Sequence, residues 1–231
     1  MKYPKVNILV LNWNGESVLF DCIQSIYQSS YPNYQVTIID NGSSDDSIQN
    51  IKNSFKKINY IYINNNLGYA KGYNYAFNCL LDSDDSEYYF LLNNDTTIEC
   101  NTIIKLIEAT YLFGENYIYS PKILNDNNRK IWYAGGKISK ITGSPKHIGL
   151  NSINDITEIK SSFTDFVTGC AMLIPKKVLH DLNGFNENYT FYYEDIDICL
   201  RAKNLGLKCV YVSDSTINHK ISSSMGGRFT L

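Results

Sequence analysis

Val6-Asn7-Ile8-Leu9-Val10-Leu11, followed at once by Asn12-Trp13-Asn14-Gly15, is a short apolar run that ends on a polar turn. A strand buried on both faces reads this way, because neither face needs polar residues. Glu16–Gln28 then carries Val18, Leu19, Cys22, Ile23, Ile26 and Tyr27 at helical spacing, and Tyr31-Pro32-Asn33 breaks the helix. The unit recurs. Gln35–Ile39 is a second buried strand, ended by Asp40-Asn41-Gly42-Ser43-Ser44-Asp45, whose side chains suit the start of a helix over about Asp46–Lys56. Asn59–Ile63, a loop over Asn64–Gly68 and a helix over about Tyr69–Leu81 form the third unit. Glu87–Leu92 is a fourth strand, and Asn93-Asn94-Asp95-Thr96 follows it directly. Four strands alternating with three helices imply an α/β fold with a mostly parallel central sheet flanked by helices.

Beyond about residue 100 the rhythm changes. The pattern predicts a helix over Asn101–Phe113, a strand over Tyr117–Lys122 and a hairpin over Ile131–Ser139 turning at Gly135-Gly136. Residues 142–162 are polar and read as a long loop, and Asp165–Ile174 reads as a strand. Pro175 opens a short helix that Gly184 ends. Glu194–Leu205 is a helix closed by Gly206, with Ile196, Cys199, Leu200 and Lys203 as its inward face. Lys208–Val212 is the last strand, and His219 falls in a polar tail. The expected organisation is a single domain over residues 1–231 whose rhythm divides it into halves at about 1–98 and 99–231.

Bulk properties narrow the function. A formal charge of −2 across 231 residues gives no general electrostatic footprint for nucleic acid. The six cysteines form no CxxC pair, which argues against a zinc site or a redox dithiol. The apolar run near Met1 is too short for a signal peptide, and no run approaches a membrane span, so a cytoplasmic protein with reduced thiols is expected. The 19 Tyr and 10 Phe supply rings that suit stacking on sugars and bases where they are exposed.

In an open parallel sheet, ligands bind beyond the carboxyl ends of the strands. Asn12–Gly15, Asp40–Asp46, Asn64–Gly68 and Asn93–Thr96 all fall there, and together they make a polar rim on one edge. Leu91-Leu92-Asn93-Asn94-Asp95 delivers a carboxylate from a buried strand, where Asp95 can ligate a hard cation or cap the following turn. Glu194, Asp195 and Asp197 share the first turn of a helix, where the dipole stabilises negative charge. Asp197 stands four residues before Arg201 and reads as an ordinary structural pair, which leaves Glu194 and Asp195 for chemistry. Asn66-Leu67-Gly68-Tyr69-Ala70-Lys71-Gly72 opens a helix after a strand, a setting for anions, without the spacing of a dinucleotide fingerprint.

These motifs, in this order and together with Tyr73-Asn74 and Thr168-Gly169-Cys170-Ala171-Met172-Leu173-Ile174, resemble family 2 glycosyltransferases of GT-A fold, the rhamnosyltransferase-type members most of all. The resemblance runs from about residue 6 to His219, and implies a nucleotide-binding half over about 1–98 and a smaller C-terminal acceptor-binding region over about 99–231. It implies inverting transfer of a sugar from a nucleoside-diphosphate sugar, such as dTDP-rhamnose or a UDP-sugar, assisted by Mg²⁺ or Mn²⁺. The acceptor would be a saccharide or a lipid-linked hydroxyl in surface polysaccharide synthesis, with peripheral contact at the inner face of the membrane. Donor contacts would come from Asn12, Trp13, Asp40, Asn41, Gly68, Lys71, Asn74, Asn93 and Asn94. Asp95 stands at the last position of the family's DxD motif, which here reads Asn93-Asn94-Asp95, and His219 would be the extra metal ligand. Asp195, with Glu194 beside it, would be the base. Trp132, Tyr133 and Tyr192 would be sugar-stacking surfaces on the acceptor side. The alternatives are another nucleotide-sugar enzyme, or a degenerate domain of this fold that only binds carbohydrate or a partner.

Overall fold

The computed structural model describes residues 3–125, 130–154, 159–189 and 192–220. Four strands, β1 (Val6–Asn12), β2 (Tyr34–Asn41), β3 (Ile58–Ile63) and β4 (Tyr88–Asn93), lie parallel in the order β4-β1-β2-β3. Helices α1 (Leu19–Tyr27), α2 (Ser47–Ser54) and α3 (Gly68–Leu80) make the crossovers. Ile8, Leu9, Val10, Leu91 and Leu92 are fully buried, as the unbroken apolar runs require. Each such side chain contributes roughly 1.5–3 kcal/mol. Tyr73 of α3 lies in the same core, and its hydroxyl donates to Leu9 O and Leu92 O, both at 3.3 Å. One strand departs from expectation: β3 is the sheet edge, so Asn59 and Tyr62 face solvent.

The second half continues the same sheet. After β5 (Thr96–Ile98) and α4 (Thr102–Phe113), β6 (Ile118–Asn125) and β11 (Ala171–Pro175) extend it beyond β4, with β11 antiparallel to both. Here the sequence reading needs correction at several points. Residues 131–139 do not form a hairpin. Instead β7 (Ile131–Tyr133) pairs with β6, and β8 (Gly136–Ile138) pairs with β9 (Pro145–His147). The Thr164 hydroxyl explains the switch, because it accepts from Gly136 N at 2.6 Å and donates to Gly136 O at 2.7 Å. Residues 142–162 therefore contain β9 and reach β10 (Ser162–Thr164) rather than forming one long loop. The expected strand over 165–174 begins only at Ala171.

The last strand is longer than its apolar run. β12 covers Cys209–His219, parallel to β6, with a register shift between Val212 and Thr216. That irregularity absorbs Ser213-Asp214-Ser215, after which the strand resumes and pairs His219 with Thr96 of β5. His219 thus sits in the sheet, not in a tail. The short helix α5 (Lys176–Asp181) follows Pro175, which occupies the N-cap rather than the first helical position. Helix α6 (Glu194–Asn204) buries Ile198, Cys199 and Ala202, whereas Leu200 is 42% exposed. Its rotation is set by Arg201, which bonds Asp197 at 2.7 Å, Leu182 O at 2.6 Å and Gly184 O at 2.8 Å. The structural reading of Asp197 stands.

Gly136 has no room for a side chain, since a Cβ there would run into the Phe166 ring. Gly136→Ala should therefore destabilise the fold by about 1–3 kcal/mol. The check is a lower denaturant midpoint at unchanged m-value; an unchanged midpoint would mean that Phe166 moves aside freely.

Candidate active site

The carboxyl ends of β1, β2 and β4 meet through side-chain amides. Asn12 is fully buried; its Nδ2 donates to Ser43 Oγ at 3.1 Å and Ser47 Oγ at 3.0 Å, while its Oδ1 accepts from Asn94 Nδ2 at 2.8 Å. Asn41 is similarly committed. Its Oδ1 accepts from Leu67 N at 3.0 Å, and its Nδ2 donates to Asn66 Oδ1 and Gly68 O. These amides shape the rim and have little capacity left for a ligand. Gly68, at φ +79°, starts α3 where a side chain would be strained. Trp13 is 53% exposed, Lys71 is exposed in the first turn of α3, and Asp40 and Asn93 are half-buried on the same rim.

Two residues expected at ligand surfaces are engaged elsewhere. Asn74 clamps the chain after α5, donating to Phe185 O at 2.8 Å and Glu187 Oε1 at 2.9 Å and accepting from Phe185 N at 2.9 Å. Tyr133 has no exposed surface, and its hydroxyl donates to Phe166 O at 2.8 Å, so it is core and not a sugar platform. Trp132, its neighbour, is half-buried and lies edge-on to the His219 ring at 5.0 Å.

Asp95 and His219 come together although 124 positions separate them in the numbering. Asp95 Oδ1 lies 3.2 Å from His219 Nε2, with both residues buried. Burial opposes charge on His219, yet Cys170 and Asp95 beside it push its pKa up to about 11. Burial also raises the Cys170 thiol, which keeps it neutral. A cation bound there would have to displace the His219 Nε2 proton before that nitrogen could ligate it. A carboxylate oxygen and an imidazole nitrogen are both ligands for Mg²⁺- or Mn²⁺-type chemistry. Two ligands about 2.1 Å from a metal and about 90° apart stand about 3.0 Å from each other, so the observed separation fits one cation. Among the described residues, no group of three His, Cys, Asp or Glu forms a full protein cage. Such a pair needs other oxygens to complete its coordination.

Asp195 is the other centre. Its Oδ2 accepts from Gly169 N at 3.0 Å and its Oδ1 from Ile196 N at 2.8 Å. Burial raises its pKa, with those two N–H groups pulling the other way. Glu194 is 9% exposed, and burial raises its pKa also. Just before them, Tyr192 and Tyr193 adopt φ of +64° and +71°. Two successive non-glycine residues in that region cost roughly 1–3 kcal/mol each, and such strain persists where surroundings over-determine it. Both rings are exposed, at 61% and 53%.

A single dipeptide joins the two centres. Gly169 N holds Asp195, and Tyr69 donates its hydroxyl to Gly169 O at 2.6 Å. Cys170 O accepts from Asn93 N at 3.0 Å, and the Cys170 side chain lies beside His219. The sequence motif around Thr168-Gly169 had flagged this segment without showing what it holds. His147, whose ring lies 4.6 Å from Trp132, was missed because its strand is three residues long and carries no period.

Comparison with known proteins places this arrangement. The model of glycosyl transferase family 2 matches residues 7–181, and one described as the N-terminal domain of galactosyltransferase matches residues 150–222. The low-salt glycan biosynthesis hexosyltransferase of Haloferax volcanii is 27% identical over 222 residues, covering 95% of this chain and 69% of that protein. The rhamnosyltransferase WbbL of Escherichia coli is 28% identical over 134 residues, covering 55% of this chain and 50% of its own length. An uncharacterized glycosyltransferase of Rickettsia felis is 26% identical over 80% of this chain, which spans only 29% of it. Among solved structures, GalNAc-T7 with UDP, GalNAc and Mn²⁺ superposes with a TM-score of 0.76 at 14% identity, over 95% of this chain and 44% of that one. TarS 1-349 of S. aureus with UDP-GlcNAc gives 0.68 at 15% identity, over 98% and 62%. The fold is GT-A.

Because burial raises the Glu194 pKa, the folded protein holds that proton more tightly than the unfolded chain. Stability is then lost as pH rises from the unfolded value, about 4.3, through the folded one. Glu194→Gln should have a higher thermal midpoint than the parent at pH 7, with the gap closing near pH 4. Equal midpoints at pH 7 would contradict the burial penalty.

Proposed function

The chain belongs to glycosyl transferase family 2, and we propose that it moves a hexose from a nucleoside-diphosphate sugar to an acceptor hydroxyl with inversion at the anomeric carbon. The observation that carries this reading is the Gly169–Cys170 junction. It lies between the Asp95–His219 pair, which we read as able to ligate a cation, and Asp195, which we read as the base. Departure of a diphosphate and deprotonation of a hydroxyl need those two devices side by side.

Trp13 and Asp40 take the base and ribose at the ends of β1 and β2, with Asn12 and Asn41 holding the loops beneath them. Lys71, with the N-terminus of α3 that Gly68 opens, faces negative charge on the diphosphate. Asn93 and Asn94 complete the wall at the end of β4, Asn94 through its bond to Asn12. Asp95, and His219 once its Nε2 is deprotonated, would hold Mg²⁺ or Mn²⁺, a hard cation that also accepts phosphate oxygens. When bound, the cation supplies Lewis-acid stabilisation of the charge on the leaving diphosphate.

On the acceptor side, Asp195 takes the proton of the attacking hydroxyl. The hydroxyl oxygen bonds to the anomeric carbon from the face opposite the diphosphate, which leaves with the electron pair of the broken bond. Each Asp195 oxygen accepts one backbone N–H and keeps a second lone pair, so the carboxylate stays oriented and still receives the proton. A pKa raised by burial makes it a stronger base than an exposed carboxylate. Glu194 supports it from the same helical turn, and Trp132 and Tyr192 flank the acceptor. Similarity to a rhamnosyltransferase and to hexosyltransferases supports a deoxyhexose or hexose donor, such as dTDP-rhamnose or a UDP-hexose. Relatives that act on glycans and on a diphosphoundecaprenol-linked sugar support a saccharide or lipid-linked acceptor in surface polysaccharide synthesis. A lipid-linked acceptor brings the protein to a membrane surface, and among the described residues no helix is long and apolar enough to cross one.

The test is a panel of UDP-, dTDP- and GDP-sugars, scored for binding and slow hydrolysis with Mn²⁺ or Mg²⁺. Asp195→Asn should lower transfer about 100-fold or more while leaving nucleotide affinity within about twofold; full transfer would remove Asp195 as the base. Asp95→Ala should abolish the gain in nucleotide affinity that Mn²⁺ gives, and His219→Ala should reduce it by a smaller factor. Titration of UDP with and without Mn²⁺ reads both, and an intact gain in Asp95→Ala would remove it as a ligand.

A further inference from the structure

His147 is held more rigidly than a surface histidine needs. It ends β9, where it pairs with Gly136, and flanking backbone bonds run from Ala134 N to Ile148 O at 3.1 Å and from Ile148 N to Gly135 O at 2.7 Å. Three aromatic rings surround its imidazole: Trp132 at 4.6 Å, Tyr133 at 5.2 Å and Phe166 at 5.9 Å. Gly136 lets Phe166 press this close, because any side chain there would collide with the ring.

The one hydrogen bond fixes the tautomer. His147 Nδ1 lies 3.0 Å from Trp132 O, and a carbonyl can only accept. Nδ1 therefore carries the hydrogen. Burial lowers the pKa of His147, so the ring is neutral at pH 7 and Nε2 is a bare lone pair. Among the described residues no hydrogen-bond donor meets Nε2, and the residue is only half-buried.

The surroundings say where that lone pair is useful. Phe166, which packs on the imidazole, is three residues from Gly169, whose N–H holds Asp195. Three residues span at most about 11 Å, so Phe166 and Gly169 are close in space as well as in sequence. The charge of Asp195 is felt at His147, and the Trp132 ring touches His147 on one side and His219 on another. His147 thus lies near Asp195 and one ring away from His219.

We propose that His147 is an acceptor-binding residue: its Nε2 accepts a hydrogen bond from a hydroxyl of the acceptor sugar seated between Trp132 and Asp195. This rests on the glycosyltransferase reading above and adds a specificity element to it. A lone-pair acceptor in a rigid wall selects a hydroxyl donor at one position and rejects an acceptor lacking it, more sharply than a ring platform could.

The experiment compares the wild type with His147→Asn and His147→Gln, using the donor that the panel identifies and p-nitrophenyl hexosides as acceptors. Asparagine reproduces the Nδ1 side and deletes Nε2, whereas glutamine can place an oxygen near the Nε2 position. Expected is an acceptor KM raised about tenfold in His147→Asn, the scale of one lost hydrogen bond. Donor hydrolysis and nucleotide affinity should stay within about twofold, and His147→Gln should recover most of the KM. An unchanged acceptor KM in His147→Asn overturns the proposal. So does an equal loss of donor hydrolysis in both variants, which would mark a structural role. Imidazole ¹⁵N spectra of the wild type, which need no acceptor, should show Nε2 unprotonated at pH 7; an Nε2–H tautomer also overturns it. Absence of both transfer and donor hydrolysis in the wild type defeats the glycosyltransferase reading, and this inference with it.

Discussion

The peptide between Gly169 and Cys170 is the constraint on which the rest of the site depends. Three hydrogen bonds tie Gly169-Cys170 to α6 through Asp195, to α3 through Tyr69 and to the end of β4 through Asn93, and the Cys170 side chain lies beside His219 of β12. A Cβ at Gly169 would lie 2.7 Å from the Tyr69 hydroxyl, so only glycine admits that approach. The segment therefore cannot begin its strand early: Gly169 N is spent on Asp195 before β11 starts at Ala171. Losing one ladder bond to a carboxylate is the structural cost of holding Asp195 near the Asp95–His219 pair.

Charge placement follows the same logic. Asp95, His219, Glu194 and Asp195 are all withdrawn from solvent to a degree that charged groups tolerate only when paired or in use. Asp95 and His219 offset each other, while Asp195 is offset only partly by two N–H groups and Glu194 less still. Adding the strained tyrosines at 192 and 193, the start of α6 is the least relaxed part of the described structure, and it is where the proton transfer is assigned. Local strain and uncompensated carboxylates concentrate where chemistry requires a group ready to change charge.

Legibility in the sequence divided along physical lines. The first half was readable because each parallel strand is buried on both faces and each crossover helix has one apolar face, so pattern and position coincide; only the edge strand β3 broke the pattern. The second half depends on distant partners. The Thr164 hydroxyl decides where Gly136 pairs, and the shift between Val212 and Thr216 carries β12 through a polar stretch to His219. Neither leaves a local period to read. Asp95, His219, Glu194 and Asp195 were named from motifs, but Asn74 and Tyr133 were assigned to ligands when they serve packing, and His147 was hidden in an apparent loop. Motifs report which residues recur in a family; they do not report which of them face the ligand.

The central claim is that Asp95 and His219 hold a cation on a nucleoside diphosphate within reach of Asp195. A crystal structure of the chain with UDP and Mn²⁺, with anomalous differences collected at the manganese edge, addresses it most directly. The expected result is one manganese peak bonded to Asp95 Oδ1, His219 Nε2 and diphosphate oxygens, with the uracil beside Trp13 and Asp40. Nucleotide bound away from the ends of β1, β2 and β4, or bound there with no manganese between Asp95 and His219, would contradict it.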